Sequence, residues 1–459
     1  MKNILVLGAG RSATALIDEL SQTGQSLGWT ITVVDAAADT IASYAQRYAN
    51  VQAHTLDIFD TTARHQLLSQ ADVVISMLPA RFHIHVAVSC LELGKHLITA
   101  SYVSEEIREL APQAEAKGLI FLFECGLDPG LDHMSAMQVI DRIREEGGTI
   151  TSFQSFCGGL MAPGSDNNPW RYKFTWNPRN VVLAGTMGTA QYIYKGRYKN
   201  IPHHQLFKRL TGISVPGYGD FESYPNRDSL HYRELYGLYD AQTILRGTLR
   251  RPGFCSTWHA FVQLGLTDDR YPVRNVENMT YADFVRAYLP YSEDDVTTNF
   301  SRYIGADITS ERMQRIRWLG LLDETPIGLK TATPADVIQK LLESKWTAEP
   351  DDEDMVVMQH QFEYLQAGKQ KRLTSSLAVI GQLSGLTAMA KTVGYPLGIA
   401  TRLILTNQVR QTGIVIPVHR EIYEPILAEL PRWGIHFTEA EETLDTHHPS
   451  PGLPTALQE

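Results

Sequence analysis

Ile4-Leu5-Val6-Leu7-Gly8-Ala9-Gly10-Arg11-Ser12-Ala13 decides the fold of this chain. Four apolar residues, two of them β-branched, run into a glycine pair, and Ala13 to Leu20 is compatible with helix. The reading is strand, tight turn, helix. In the pattern G-x-G-x-x-A, Gly8 makes the turn, Gly10 lets the backbone approach a pyrophosphate, and Ala13 is small enough for the helix to pack on the strand. Free N–H groups at the helix start then face an anion. A second strand, Trp29 to Val34, ends in Asp35, where the ribose-binding acid of such units is expected. Gly8, Ala9, Gly10, Arg11, Ser12 and Asp35 are therefore candidate cofactor-binding residues. The alternative is an ordinary strand-to-helix turn whose glycines only tighten the connection.

Outward from this stretch, strands and helices alternate as far as Cys125. Strands are expected at Val51 to Leu56, Asp72 to Leu78, His96 to Thr99 and Leu119 to Glu124. Helices are expected at Ala36 to Tyr48, Thr61 to Ser69, His85 to Leu93 and Glu105 to Lys117. Alternation of this kind predicts an α/β fold, a doubly wound parallel sheet covered on both faces. Ligands of such sheets sit outside the carboxyl ends of the strands. The strand ends Asp57-Ile58, Leu78-Pro79, Ala100-Ser101-Tyr102 and Gly126 to Gly130 are the places where a site would assemble.

Beyond Asp128 the pattern changes. Asp132 to Glu145 reads as helix, Thr149 to Cys157 as strand, Asn180 to Tyr194 as helix, and Thr243 to Arg250 as strand. Phe254 to Trp346 is mostly helical. Asp354 to Gln361 and Arg372 to Ile380 read as a strand pair around the turn signal Ala367-Gly368. Ser384 to Leu405 is a long helix of small residues with a kink or offset start expected near Pro396, because proline removes a ladder hydrogen bond. The predicted domains are 1–127 with a return of about 384–437; 128–253 with about 351–383; a helical subdomain at 254–350; and a disordered tail at 445–459. His447 and His448 in that tail lack the support a metal site needs.

A length of 459 residues favours two or three domains. The net charge of −10, without long charged blocks, argues against nucleic acid or a membrane surface as partner. It leaves room for a small anionic substrate held by a few local arginines. Cys90, Cys125, Cys157 and Cys255 show no metal-ligand spacing, so no metal is expected and a reduced thiol set is. No apolar run approaches the ~18 residues of a membrane span, and the short apolar run before Gly8 reads as strand, not signal peptide. The expectation is a soluble, cytoplasmic protein.

Asp35 separates two nucleotides. A carboxylate there accepts hydrogen bonds from ribose hydroxyls and repels a 2′-phosphate. Ala36, Ala37 and Ala38 supply no cation, so NAD is favoured, with NADP possible. Arg11 reaches either the pyrophosphate or a 2′-phosphate.

The later motifs carry a resemblance. Gly126-Leu127-Asp128-Pro129-Gly130-Leu131-Asp132-His133, Phe156-Cys157-Gly158-Gly159-Leu160, Tyr172-Lys173-Phe174-Thr175-Trp176, Tyr224-Pro225-Asn226-Arg227-Asp228-Ser229 and Arg246-Gly247-Thr248-Leu249-Arg250 occur in this order. Together with Trp318 to Leu321, Asp354 to Val357 and Thr392 to Pro396 they extend the likeness to about Phe437. The chain thus resembles the saccharopine dehydrogenases of the glutamate-forming type, also called saccharopine reductases. The resemblance implies reversible condensation of 2-aminoadipate 6-semialdehyde with the amino group of glutamate, and reduction of the imine by a nicotinamide cofactor. It also implies an N-terminal Rossmann-type domain, a mixed-sheet α+β substrate domain, a helical subdomain and a homodimer.

In that family, residues matching Ser101, Tyr102, Asp128, Arg227, Thr248, Leu249 and Arg250 line the substrate pocket. Those matching Ala9 to Ser12, Leu78, Ala100, Ser101, Leu127, Asp128 and Pro129 line the nucleotide. Saccharopine carries three carboxylates, and planar guanidinium groups such as Arg227 and Arg250 suit them. Lys173 and Arg179 would add positive potential. Two roles are open to Asp128: holding the substrate's secondary amine as a catalytic group, or capping the following helix. Cys157 either orients a water or substrate as a second catalytic candidate, or packs as an inert buried thiol. The chain departs from the family at Ala36, where NADP-dependent members carry a basic residue, and at Arg11 and Asn177. A reductase of a different amine, such as carboxynorspermidine dehydrogenase, and a non-catalytic NAD-binding protein of the same fold are the alternatives.

Overall fold

The computed structural model describes residues 2–184, 186 and 188–444; the tail expected at 445–459 lies outside them. In chain order the strands are β1 (Asn3–Leu7), β2 (Thr30–Asp35), β3 (Val51–Thr55), β4 (Val73–Ser76), β5 (His96–Thr99), β6 (Ile120–Leu122), β7 (Thr149–Met161), β8 (Ala190–Tyr194), β9 (Arg197–Ile201), β10 (Thr211–Val215), β11 (Gly219–Pro225), β12 (Thr243–Arg250), β13 (Asp354–Gln366), β14 (Lys369–Ile380), β15 (Gly413–Val415) and β16 (Thr438–Leu444). The described residues form two compact units: Lys2–Glu146 with Leu377–Thr438, and Gly147–Ser376 with Glu439–Leu444.

The first unit holds a seven-stranded sheet in the order β15-β6-β5-β4-β1-β2-β3. Its strands pair in parallel. This is the doubly wound parallel sheet that the alternation predicts. The order reverses at β1, which has β2 on one side and β4 on the other. Gly8, just past β1, therefore stands at the switch point where a crevice opens. Leu5, Leu7, Val74, Leu97 and Phe121 pack one core of this sheet. The helix Ala388–Leu405 lies directly against the helix Thr14–Leu27 that follows the glycine turn: a Cβ at Gly394 would come within 2.5 Å of Leu16 N. The small residues of the later helix permit that approach, and the helix starts after Thr387, whose side chain caps Ala390 N–H at 2.9 Å.

The second unit is a mixed sheet in the order β10-β11-β12-β7-β13-β14-β16, with β8 and β9 attached beside β12. β7 pairs in parallel with β12 and antiparallel with β13. Thr248 stands opposite Cys157 in this register. Helices between Phe254 and Lys345 enclose an aromatic core in which Trp170, Trp258 and Trp346 are almost completely buried.

One expected helix is wrong. Asn180 to Tyr194 is a short helix, Pro178–Leu183, followed by strand β8. Lys195 and Gly196 both take positive φ and turn β8 into β9. Such a two-residue turn matches strand twist, and the alternate burial of Ala190 and Tyr192 follows a period of two. The Ala367-Gly368 turn is where the pattern puts it, also with both φ positive, but its strands are longer than expected at 354–366 and 369–380.

Candidate active site

The residues expected at a nucleotide gather at the carboxyl ends of the first sheet. Gly8 has φ +94°, and a Cβ there would press on the Met77 backbone at 3.0 Å. Only glycine fits that crowded, left-handed position. Nothing lies within 4 Å of where a Gly10 Cβ would stand, so the backbone is open toward a ligand. Asp35 closes the other side. Its Oδ2 accepts the Ala9 N–H at 2.8 Å and its Oδ1 accepts the Ala37 N–H at 3.0 Å. The carboxylate is thus fixed by two backbone donors, not left to swing.

A cleft of about 370 Å³ opens here, lined in part by Gly8, Gly10, Asp35, Asp57, Ile58 and Leu78. All of these were expected cofactor-binding residues. Ala9, Arg11 and Ser12 belong to the same turn but do not line the cleft. Phe59 and Phe82, which sequence reasoning missed, do line it. Their rings meet edge to face at 5.3 Å, and Phe59 is 58 % exposed. An aromatic residue one position past the Asp57-Ile58 strand end was the available signal. The charged lining residues are Asp35 and Asp57; no lysine or arginine lines the cleft among the described residues.

Ser101, Tyr102 and Asp128 come together at the neighbouring strand ends of the same unit. The Tyr102 hydroxyl donates to Asp128 Oδ1 at 3.2 Å. Both loops hang on Glu124, a residue sequence reasoning passed over. Glu124 sits at φ +56°, its N–H donates to Ser101 O at 3.0 Å, and its Oε1 accepts Val103 N–H at 3.0 Å. Its Oε2 lies 2.9 Å from His133 Nε2, with both side chains buried. A non-glycine residue held in the left-handed region costs on the order of 1–3 kcal/mol and persists only where the surroundings over-determine it.

The 126–130 loop closes on itself through Gly126 N–H to Pro129 O at 3.0 Å. The Asp128–Pro129 bond is cis. A Cβ at Gly130 would fall 2.1 Å from Gly126 O, so this tight loop requires glycine there. The helix Leu131–Glu145 has Gly130 at its N-cap, and Asp132 accepts the Gly130 N–H at 2.6 Å.

The candidate arginines stand in the second unit. Arg250, at the end of β12, is 3 % exposed. Its Nη1 donates to Leu249 O at 2.8 Å and its Nε has no partner. The guanidinium lies 5.2 Å from the Tyr172 ring, 5.8 Å from Tyr224 and 5.3 Å from Phe254. Burial pushes the hydroxyls of Tyr172 and Tyr224 up, with Arg250 opposing, so both rings stay neutral beside it. Arg250 has no ion-pair partner among the described residues. A buried charge without a counter-ion is costly.

Arg227 follows β11, is exposed, and has φ +41°. Its charge and that of Arg250 both oppose the upward shift of the Tyr224 hydroxyl, which hydrogen-bonds the Thr248 side chain. Leu249 is buried. Cys157 is 6 % exposed and within electrostatic reach of Arg250.

Lys173 and Arg179 do not add free positive potential. Lys173 Nζ is 2.6 Å from Asp352, both buried, and Arg179 is 2.7 Å from Asp336 and 3.4 Å from Asp269. Asn177 caps the helix Pro178–Leu183 through the Arg179 N–H at 2.9 Å. Among the described residues no cluster of three or more His, Cys, Asp or Glu side chains could hold a metal, and no helix is long and apolar enough to cross a membrane.

A glycine turn at the switch point of a parallel sheet, with a carboxylate fixed beside it, defines the class as dinucleotide-binding proteins with an α+β second unit. Known proteins narrow this. Residues 4–122 match the saccharopine dehydrogenase NADP binding domain and residues 126–435 the saccharopine dehydrogenase C-terminal domain. The chain is 35 % identical over 452 residues to the Saccharomyces cerevisiae saccharopine dehydrogenase [NADP(+), L-glutamate-forming], covering 95 % of this chain and 99 % of that one. It is 34 % identical to the mitochondrial alpha-aminoadipic semialdehyde synthase of Mus musculus over 95 % of this chain, but spans only 47 % of that longer protein. The apo structure of Saccharomyces cerevisiae saccharopine dehydrogenase (L-Glu forming) superposes with a TM-score of 0.87 at 32 % identity, covering 96 % of this chain and 100 % of that one. The chain belongs to the saccharopine dehydrogenase family of the glutamate-forming type, oxidoreductases that act on the CH–NH bond of a secondary amine.

Proposed function

We propose that the protein is a glutamate-forming saccharopine dehydrogenase of lysine metabolism, with NAD as its preferred nucleotide. Its substrate is a small acidic amino acid derivative with a secondary amine. The observation that carries this reading is Arg250: a buried guanidinium in a neutral aromatic cage, without a carboxylate of its own. A carboxylate of the substrate completes it, and Arg227 at the exposed rim takes another.

A nicotinamide held at the Gly8 turn would supply the hydride acceptor for the carbon beside the amine, and the donor for the reverse reaction. The chain's part is to place the reactants. Asp128 holds the proton of the secondary amine, and Tyr102 keeps the Asp128 carboxylate turned toward it. Water then splits the imine into glutamate and the semialdehyde. Ala100, Leu127 and Pro129, at the strand ends beside Asp128, complete the nucleotide's contacts.

The preference for NAD rests on Asp35. Its carboxylate is fixed at the cleft, Ala36 follows it, and no cation lines the cleft among the described residues to receive a 2′-phosphate. The family model and the yeast relative are NADP-binding by description, which makes NADP the reading to test against. Nicotinamide absorbance with saccharopine and each nucleotide decides both points. No turnover with either nucleotide overturns the function, and a lower KM for NADP than for NAD overturns the nucleotide assignment.

A further inference from the structure

His83 is a buried histidine, 3 % exposed, at the first position of the helix His83–Leu93 that follows β4. Its ring bridges two strand ends. Nδ1 lies 2.9 Å from the Ser76 hydroxyl at the end of β4, and Nε2 lies 2.7 Å from the Ser101 hydroxyl just past β5. Thr99 Oγ1 stands 3.4 Å from the same Nε2 and accepts the Ser101 N–H at 3.3 Å. The Phe123 ring packs edge-on against the imidazole at 6.4 Å. Ser101 is expected at the ligands, but His83 and Ser76 belong neither to the nucleotide motif nor to the expected substrate-pocket residues.

The direction of the chain follows from counting protons. Ser76 is 0 % exposed and His83 Nδ1 is its hydroxyl's partner, so the hydroxyl proton satisfies its donor by bonding to that nitrogen. A neutral imidazole donates from one nitrogen and accepts at the other. Nδ1 accepts from Ser76, and Nε2–H therefore donates to Ser101 Oγ. Burial favours the neutral ring this requires, pushing its pKa down to about 4. With its oxygen already accepting, the Ser101 hydroxyl has its own proton to offer outward, beyond the carboxyl end of the sheet.

We propose that His83 is a positioning residue that locks the Ser101 hydroxyl as a hydrogen-bond donor toward an acceptor oxygen of the ligand. The inference rests on the proposed function for the ligand's identity. Two oxygens have the right chemistry: a substrate carboxylate, or the carboxamide carbonyl of the nicotinamide. In the first case the loss on removing the donor falls on the KM for saccharopine; in the second it falls on the KM for the nucleotide.

The test uses two amides of different length. His83→Gln places a side-chain NH₂ near the Nε2 position and keeps the donor to Ser101, whereas His83→Asn reaches only the Ser76 side. His83→Asn and Ser101→Ala are each expected to lower kcat/KM by about tenfold, the double variant by no more than either alone, and His83→Gln by less than about threefold. Losses that multiply in the double variant, or a His83→Gln as impaired as His83→Asn, overturn the proposal. A second measurement does not depend on turnover: the ring ¹⁵N signals of His83, assigned by its substitution, should report a single neutral Nε2–H tautomer at neutral pH. A protonated ring or the Nδ1–H tautomer overturns the proposal. A wild-type protein without saccharopine turnover but with the expected tautomer removes the proposed substrate and leaves the His83–Ser101 relationship standing.

Discussion

The Tyr102 hydroxyl donates to the carboxylate of Asp128 across 3.2 Å, joining the loop after β5 to the loop after β6. The family resemblance placed both residues at the substrate; their hydrogen bond makes them one unit. Tyr102→Phe should lower kcat/KM for saccharopine by about three- to tenfold, the value of one ordinary solvent-exposed hydrogen bond. Asp128→Asn should cost more, chiefly in kcat. Steady-state kinetics with nucleotide saturating checks both, and an equal rise in nucleotide KM would contradict the placement.

Arg250 separates binding from stability. Arg250→Met removes an uncompensated buried charge and replaces it with an apolar chain of similar length, so the folded protein should be as stable or more so. The same change should raise the KM for saccharopine by about 100-fold or more, through loss of a charge-assisted, bidentate contact. Calorimetry and kinetics on one preparation compare the two effects.

The proposed preference for NAD is tested at Asp35 and Ala36. The double variant Asp35→Ser, Ala36→Arg removes the fixed carboxylate and adds a guanidinium beside it. The ratio of kcat/KM values for NADP over NAD should rise by about 10- to 100-fold. Asp35→Ser alone also releases the Ala9 and Ala37 N–H groups, so it should weaken both nucleotides.

His83 makes stability depend on acid. Its folded-state pKa, pushed down to about 4 by burial, lies below the ordinary value of 6.5. Well above pH 6.5 the ring is neutral whether the chain is folded or not, and its titration leaves stability unchanged. As pH falls from 6.5 to 4 the unfolded chain takes up the proton and the folded one does not. Stability should fall through that window by up to about 3 kcal/mol on this account. His83→Gln should flatten that part of the curve, as denaturant titrations between these pH values would register.

Gly394→Ala tests the helix contact behind the nucleotide turn. The added methyl meets the backbone of Leu16 and Ala15, where no flexible side chain can give way. A loss of about 1–3 kcal/mol is expected, with a raised nucleotide KM because the displaced helix Thr14–Leu27 follows the Gly8 turn.

Sequence alone determined what is local. Gly8 to Ala13, the alternation after it and the Ala367-Gly368 turn are set by backbone sterics and short periodicities, and each sits where the residues place it. Asn180 to Tyr194 was misjudged because its apolar residues suit either period, and the deciding signal was the turn at Lys195-Gly196. What only the tertiary structure decided is which side chains are committed and which are available. Lys173, Arg179, Arg227 and Arg250 look alike in sequence, yet Lys173 is neutralised by Asp352 at a separation of 179 residues and Arg179 by Asp336 at 157, while Arg250 is buried without an ion-pair partner. Phe59, Glu124 and His83 acquire their places in the same way. A counter-ion, a ring against a ring, or a hydroxyl bridged to another is a relation between residues far apart in the chain, and it exists only once packing has brought them together.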